Sequence, residues 1–334
     1  MSPAPARRMI AVMVLIPVVV ALALWAFAWP AARTAPRDLP VGVAGPAAAA
    51  AAVEDGLTRH AGAFDVHRFD DGAAARDAIE DRVVYGAVVV GAQGTELLVA
   101  PAASPVVAQL LREAVTAGAP ADAPVRVTEV VSLPEGDPRG SALAASVLPI
   151  ALAGVAAGAL VTLSGLRGAR AGVTLLGAAA LVGLTATALT HSWLGVLDGD
   201  WWAEAGALGL TVLAVGSAVA GLAALLGTPG VGLGALLMVL IGNPFSGAAS
   251  APELLPEPAG ALGQWLPPGA GASLLRSVAY FDGRASGGAA LTLTLWVVLG
   301  FTAVLAGARL RARTGTTPPQ PEHPAPAPAS APAA

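Results

Sequence analysis

Four histidines, His60, His67, His191 and His323, are the first residues to test for metal or proton chemistry. None stands in a His-Glu-x-x-His arrangement or near a second ligand at metal spacing. His60 and His67 fall in a polar stretch and read as exposed. His191 closes an apolar run beside Trp193 and reads as an interface residue rather than a proton carrier. The acidic pairs Asp70-Asp71 and Glu80-Asp81 flank predicted elements, where a solvated surface accounts for them. No Gly-x-Ser-x-Gly elbow occurs. Lysine is absent, which rules out a phosphate-loop lysine and a lysine Schiff base in this chain. Cysteine is absent too, which removes disulfides, thiolate catalysis and cysteine-held metals. The expectation is a protein without enzymatic activity, metal or cofactor. Acids outnumber the all-arginine bases 22 to 18, so no basic surface invites nucleic acid.

The elements that hold these residues are unlike those of a soluble enzyme. Only 12% of the 334 residues are charged and 55% are apolar, against roughly 25% charged in an ordinary soluble domain. Five windows carry no Asp, Glu or Arg: 9–32, 140–166, 171–197, 205–252 and 285–308. A helix needs about 20 apolar residues to cross the hydrocarbon core. Four windows fit one crossing each. The fourth, 205–252, fits two, split at Gly227-Thr228-Pro229-Gly230 into spans near 205–226 and 231–250. Six transmembrane helices are therefore predicted.

Arginine placement sets the orientation. With the N-terminus inside, Arg7, Arg8, Arg167, Arg170, Arg309, Arg311 and Arg313 lie inside, and the short outer segments keep only Arg276 and Arg284. Both termini are expected in the cytoplasm, with residues 1–8 before the first span. Ala26-Phe27-Ala28 has the form a signal peptidase accepts, but the apolar stretch from Met9 to Trp29 exceeds the usual signal core of about 7–15 residues. It is expected to stay as an anchor over 9–30. The alanine-, glycine- and arginine-rich, lysine-free composition points to a GC-rich bacterial genome and so to a bacterial plasma membrane. No confident charge falls inside the spans, which weakens an ion-coupled carrier. Gly154 and Gly158 allow close helix approach.

Residues 31–139 have ordinary soluble composition. Nine arginines against fifteen acids over 33–139 give a net of −6. Strands are predicted at Leu39–Ala44, Phe64–Phe69, Val83–Val90, Glu96–Ala100 and Val125–Leu133, with helices at 47–60, Ala73–Arg82 and Pro105–Ala117. This is a small extracytoplasmic α/β domain between the first and second spans, large enough to hold its own core. Within the membrane domain, 140–313, the segment 242–283 is too apolar for a simple loop. Asn243-Pro244 should break the fifth helix near its outer end, and Pro267-Pro268-Gly269 should turn the chain into a short helix, Ala270–Phe281. On that helix Leu274, Val278 and Phe281 share a face, with Arg276 and Tyr280 on another. A hairpin that dips back toward the bilayer survives only where protein or water covers its backbone. Residues 314–334, rich in Pro and Ala, are expected to be a disordered cytoplasmic tail.

This layout resembles the permeases of ABC type-2 exporters, in the subgroup related to the phage-infection-protein family. The residues that carry the likeness are Leu39-Pro-Val-Gly-Val43, then Ala73–Val90 with Asp77-Ala78-Ile79-Glu80 and Val84-Tyr85-Gly86-Ala87. Asn243-Pro-Phe-Ser-Gly247 through Leu266-Pro-Pro-Gly269 and Arg276 complete it. The likeness is mainly architectural and spans about residues 9–308. It implies half of a homodimeric or heterodimeric pore, driven by a separate cytosolic ATPase and exporting a hydrophobic or amphipathic compound. Asn243, Pro244, Phe245, Ser246, Gly247, Pro267, Pro268, Gly269 and Arg276 would form an outer gate. Arg167 and Arg170 are the candidate contacts for the ATPase. The inner connections 165–170 and 227–230 are short for a part that an ATPase must push. The rival expectation is a non-transporting membrane protein whose outer domain binds a ligand, a wall component or a phage.

Overall fold

The computed structural model describes residues 3–59, 61–92, 94–118 and 125–314. His60, His323 and the stretch after Thr314 lie outside them. Five helices are long and apolar enough to cross a membrane, over Met9–Ala32, Ser141–Leu163, Gly168–Trp193, Trp201–Leu226 and Ser286–Leu310. They belong to α1 (Pro3–Ala32), α5 (Ser141–Leu163), α6 (Gly168–Thr187), α7 (Trp201–Leu226) and α11 (Ser286–Thr314). The chain is a membrane protein by this criterion. α6 ends in a π-helical turn, Ala188–Trp193.

α7 is the axis of the helical layer, buried along most of its length, with α5, α6 and α11 around it. Small residues allow this. A Cβ at Gly154 would lie 2.6 Å from Val215 Cβ, and one at Gly158 would lie 2.5 Å from the Gly216 carbonyl. Both glycines therefore face α7 of the same chain. α1 stands apart, almost all of its apolar surface exposed, and touches the rest chiefly where Trp25 and Trp29 meet Phe245.

The fifth expected span, 231–250, is interrupted. α8 (Thr228–Ala235) and the π turn Leu236–Gly242 together make about 15 residues, roughly 22 Å of rise against a core of about 30 Å. Pro244 has no N–H and stops the helix. α8 and its turn run along the C-terminal half of α7, with Gly234 and Met238 against Val215 and Val219. The remaining half is covered by α10 (Pro267–Tyr280), where Gly271 meets Thr211 and Ala270 and Leu274 meet Ala207. The two pieces abut at Gly242, where a Cβ would lie 2.7 Å from Pro268 Cγ. The break thus falls level with Thr211, ten residues into α7, deeper than the outer end the sequence suggested.

Residues 39–129 build a five-stranded mixed sheet in the order β2-β1-β3-β4-β5. Its strands are β1 (Leu39–Ala44), β2 (Phe64–Phe69), β3 (Gly86–Gly91), β4 (Gly94–Val99) and β5 (Arg126–Glu129). β1 pairs in parallel with β2 and β3, β4 pairs antiparallel to β3, and β5 parallel to β4. Helices α2 (Ala47–Thr58), α3 (Gly72–Glu80) and α4 (Pro105–Gly118) complete the α/β unit. β3 begins three residues later than the sequence suggested, because Arg82 turns the chain before it.

The core of this unit is shared. Ala251 and Leu254, from the loop after α8, are fully buried with Leu39, Val107 and Leu111. Phe281, at the end of α10, packs with Ala78, Ile79 and Leu98 on the other side of the sheet. The expectation of a self-contained core therefore gives way to a joint built from both halves of the chain. Backbone hydrogen bonds clamp it, with Ala35 N–H to the Leu254 carbonyl at 3.0 Å and Arg37 N–H to the Glu253 carbonyl at 3.0 Å.

Candidate functional site

The segment expected to form a gate is one packed assembly. Phe245 sits against the indoles of Trp25 and Trp29, with ring centroids 6.4 and 6.2 Å away. Ser246 Oγ donates to the Asn243 carbonyl at 2.7 Å, and Gln264 Nε2 donates to the Ser246 carbonyl at 2.8 Å. Gly247 takes a positive φ of 67° at the turn toward Pro252. After the short helix α9 (Ala259–Trp265), Pro267 and Pro268 open α10, positions where their missing N–H groups cost nothing. Trp296 Nε1, ten residues into α11, donates to the Trp265 carbonyl at 2.8 Å. The excursion between α8 and α10 thus returns about 15 Å along the helical layer before the chain turns back.

Arg276, also expected in this group, is buried and donates to the Ala248 carbonyl at 2.9 Å. It lines a cavity of about 560 Å³ between the sheet unit, α10 and α11. Arg82, Tyr85, Glu253, Gln264, Ser273 and Trp265 share its walls, and Leu291 and Leu295 of α11 form one side.

Local structure explains how Arg82 arrives there. α3 ends in a Schellman arrangement, with Val83 N–H on the Ala78 carbonyl at 2.8 Å and Arg82 N–H on the Ile79 carbonyl at 3.0 Å. The residue at this bend needs a left-handed backbone, and glycine is the usual occupant. Here it is arginine, at φ 59°. That aims its guanidinium at α10, where Nη1 donates to the Ser273 carbonyl at 3.1 Å and to Ser277 Oγ. Its Cζ stands 5.3 Å from the Phe281 ring centroid. Burial, and then the Arg276 guanidinium, push Arg82 down to about 10. Across the cleft, Tyr85 Oη donates to Glu253 Oε2 at 2.8 Å. Burial first, then the Glu253 carboxylate, hold the phenol above its ordinary range. Among the described residues no carboxylate lies within 4.0 Å of either guanidinium in the cavity.

Arg167 and Arg170 are exposed at the opposite end of the helical layer, around the tight connection from α5 to α6, where Arg167 borders a small pocket with Ala223 and Val304. The sequence reading missed one buried pair. Glu204 is wholly buried, accepts from Gly199 N–H at 2.9 Å, and lies 3.0 Å from His191 Nδ1. His191 is thus tied to a carboxylate in the first turn of α7 that an inventory of uncharged windows leaves just outside its edge. Arg82 and Glu253 also escaped notice as partners. The one local signal was a bulky residue where a helix ending calls for glycine.

No family model matches the chain, and neither a curated protein nor a solved structure does.

Proposed function

We propose that the chain is a permease subunit of an ABC type-2 exporter, moving a hydrophobic or amphipathic compound across a bacterial plasma membrane. In this reading the sheet unit lies outside, both termini lie inside, and the polypeptide crosses six times. The fifth crossing is the interrupted one, α8 followed by α10. A separate ATPase supplies the energy, and a second permease chain completes the pathway.

The observation that carries this reading is the break at Gly242. An interrupted helix leaves polar backbone at membrane depth, which is tolerated only where protein or a watery cavity covers it. Carriers use such breaks to build their binding sites. Here the break is covered by α9, and the arginine-lined cavity lies beside α10. Charge placement supports the orientation. Arg167, Arg170 and Arg309 sit at the end of the layer away from the sheet unit, while Trp29, Trp193, Trp201 and Trp202 sit near it.

The test replaces Asn243-Pro244 with Ala-Ala, which would let the helix run on. Export of amphipathic toxins by cells carrying the variant should fall to the level of a deletion strain, with normal protein abundance. A nucleotide-binding subunit should co-purify in mild detergent. Unchanged export together with no co-purifying ATPase would sink the reading. The rival, a non-transporting receptor for a ligand, wall component or phage, is favoured by the small inner face. Ser164–Arg167 and the single residue Gly227 make the two tight turns there, leaving an ATPase little to grip.

A further inference from the structure

We propose that the cavity between the sheet unit and α10–α11 binds the anionic head of an amphiphile, with its chain lying along α11.

Arg82 and Arg276 supply two guanidiniums to one partly desolvated cleft. Removing a charge from water is expensive unless an opposite charge meets it. Among the described residues the one carboxylate on the cavity wall, Glu253, accepts from Tyr85 Oη and acts on both guanidiniums only from across the cleft. Neither arginine has a carboxylate within 4.0 Å among the described residues. Counting Glu253 as ionised, the walls hold one net positive charge, which a single anionic group would balance. Arg82 adds a second argument. It occupies a left-handed backbone position where glycine or asparagine would be less strained. Strain kept at a bend that aims a charge into a cavity points to use of that charge. Arginine's planar fork suits carboxylate and phosphate alike.

The rest of the wall calls for a chain behind the head. Trp265, Leu291 and Leu295 border the cavity and are 67%, 61% and 46% exposed. They lead from the arginines onto the face of α11, one of the helices able to cross a membrane. A volume of about 560 Å³ accepts a headgroup and its first carbons and falls in the usual range for ligand sites. A free inorganic anion would gain nothing from that apolar side.

The inference deepens the permease reading by giving the cargo a charge, yet its test involves no transport. The full chain in dodecyl maltoside is offered dodecyl phosphate, dodecanoate, dodecylphosphocholine or inorganic phosphate, and adducts are counted by native mass spectrometry. One dodecyl phosphate or dodecanoate per chain is expected, and the stronger of the two tells phosphate from carboxylate. Dodecylphosphocholine and inorganic phosphate should bind at least about tenfold more weakly, the scale of one charge-assisted contact. Arg82→Asn, which suits the left-handed backbone, and Arg276→Gln should each weaken dodecyl phosphate by a similar factor, and Arg284→Gln, outside the cavity, should not. Should Arg276→Gln fail to fold, Arg82→Asn alone decides. Equal binding of dodecylphosphocholine, equal binding of inorganic phosphate, or wild-type affinity in Arg82→Asn would overturn the proposal. Arginine-dependent binding without export would sink the permease reading and leave this one standing.

Discussion

Tyr85 and Glu253 meet across the joint although 168 residues separate them. The phenol holds its proton, because burial and the neighbouring carboxylate both oppose ionisation. It therefore stays a donor at any working pH. Removing that donor leaves a half-buried carboxylate without its partner, which costs about 1–3 kcal/mol. Tyr85→Phe should accordingly lower stability by that amount in thermal unfolding of the detergent-solubilised protein. Pairing Tyr85→Phe with Glu253→Leu should cost less than the sum of the two single changes, since the unsatisfied group disappears with its partner. An additive result would mean that the bond contributes nothing. Of this cluster, Tyr85 and Arg276 stood out in the sequence, as parts of a resemblance and of a hairpin. Arg82 and Glu253 did not, because a pairing across so many residues leaves no local pattern. Periodicity reports which way a side chain faces and not what it meets.

The helices were far more legible, for a simple reason. A crossing segment must avoid charge over its whole length, and that constraint is visible in composition alone. The windows 9–32, 140–166, 171–197 and 285–308 and the span 205–226 match the five long helices within a few residues, and Gly227-Thr228-Pro229-Gly230 marks the turn between α7 and α8. The span 231–250 ran too long, since absence of charge cannot say where a helix gives way to a folded excursion. Asn243-Pro244 marked that place, and the chain leaves the helix just before it. The π turns at 188–193 and 236–242 had no signal in the residues. Gly154 and Gly158 had one, but the sequence could not choose between neighbours within the chain and a second copy. The structure turns both toward α7. Gly158→Leu should force α5 away from α7 and cost about 1–3 kcal/mol or more, as overpacking does. Gly177→Leu, on α6 with nothing within 4 Å of its new Cβ, should leave stability unchanged. The comparison is read as the fraction of protein that stays monodisperse after heating in detergent. Equal losses would show that bulk, rather than the α5–α7 contact, is the cause.

For the molecule as a whole, the sheet unit and the helices are one folding problem. Ala251, Leu254 and Phe281 come from beyond the fourth long helix and complete a core that begins at Leu39. The α/β class and most of its strands could be read from alternation along 33–139. The part of its core formed by Ala251, Leu254 and Phe281 could not, since it is supplied from sequence more than a hundred residues away. That shared core constrains topology, because Leu254, Phe281 and the sheet unit must lie on the same side of any membrane that the long helices cross. The absence of cysteine makes this directly measurable. Single cysteines in place of Arg59, Asp198, Thr228 and Gln320 would be exposed to a membrane-impermeant maleimide on intact cells. Arg59 and Asp198 sit on the side of the sheet unit, while Thr228 starts α8 at the other end of α7. Six crossings require labelling at 59 and 198 in intact cells, and at 228 and 320 only after permeabilisation. Labelling at 228 in intact cells would mean that α7 does not cross. Labelling at 320 alone would instead move the end of α11 outside, leave an odd number of crossings, and force the interrupted α8–α10 pair to enter and leave by the same face.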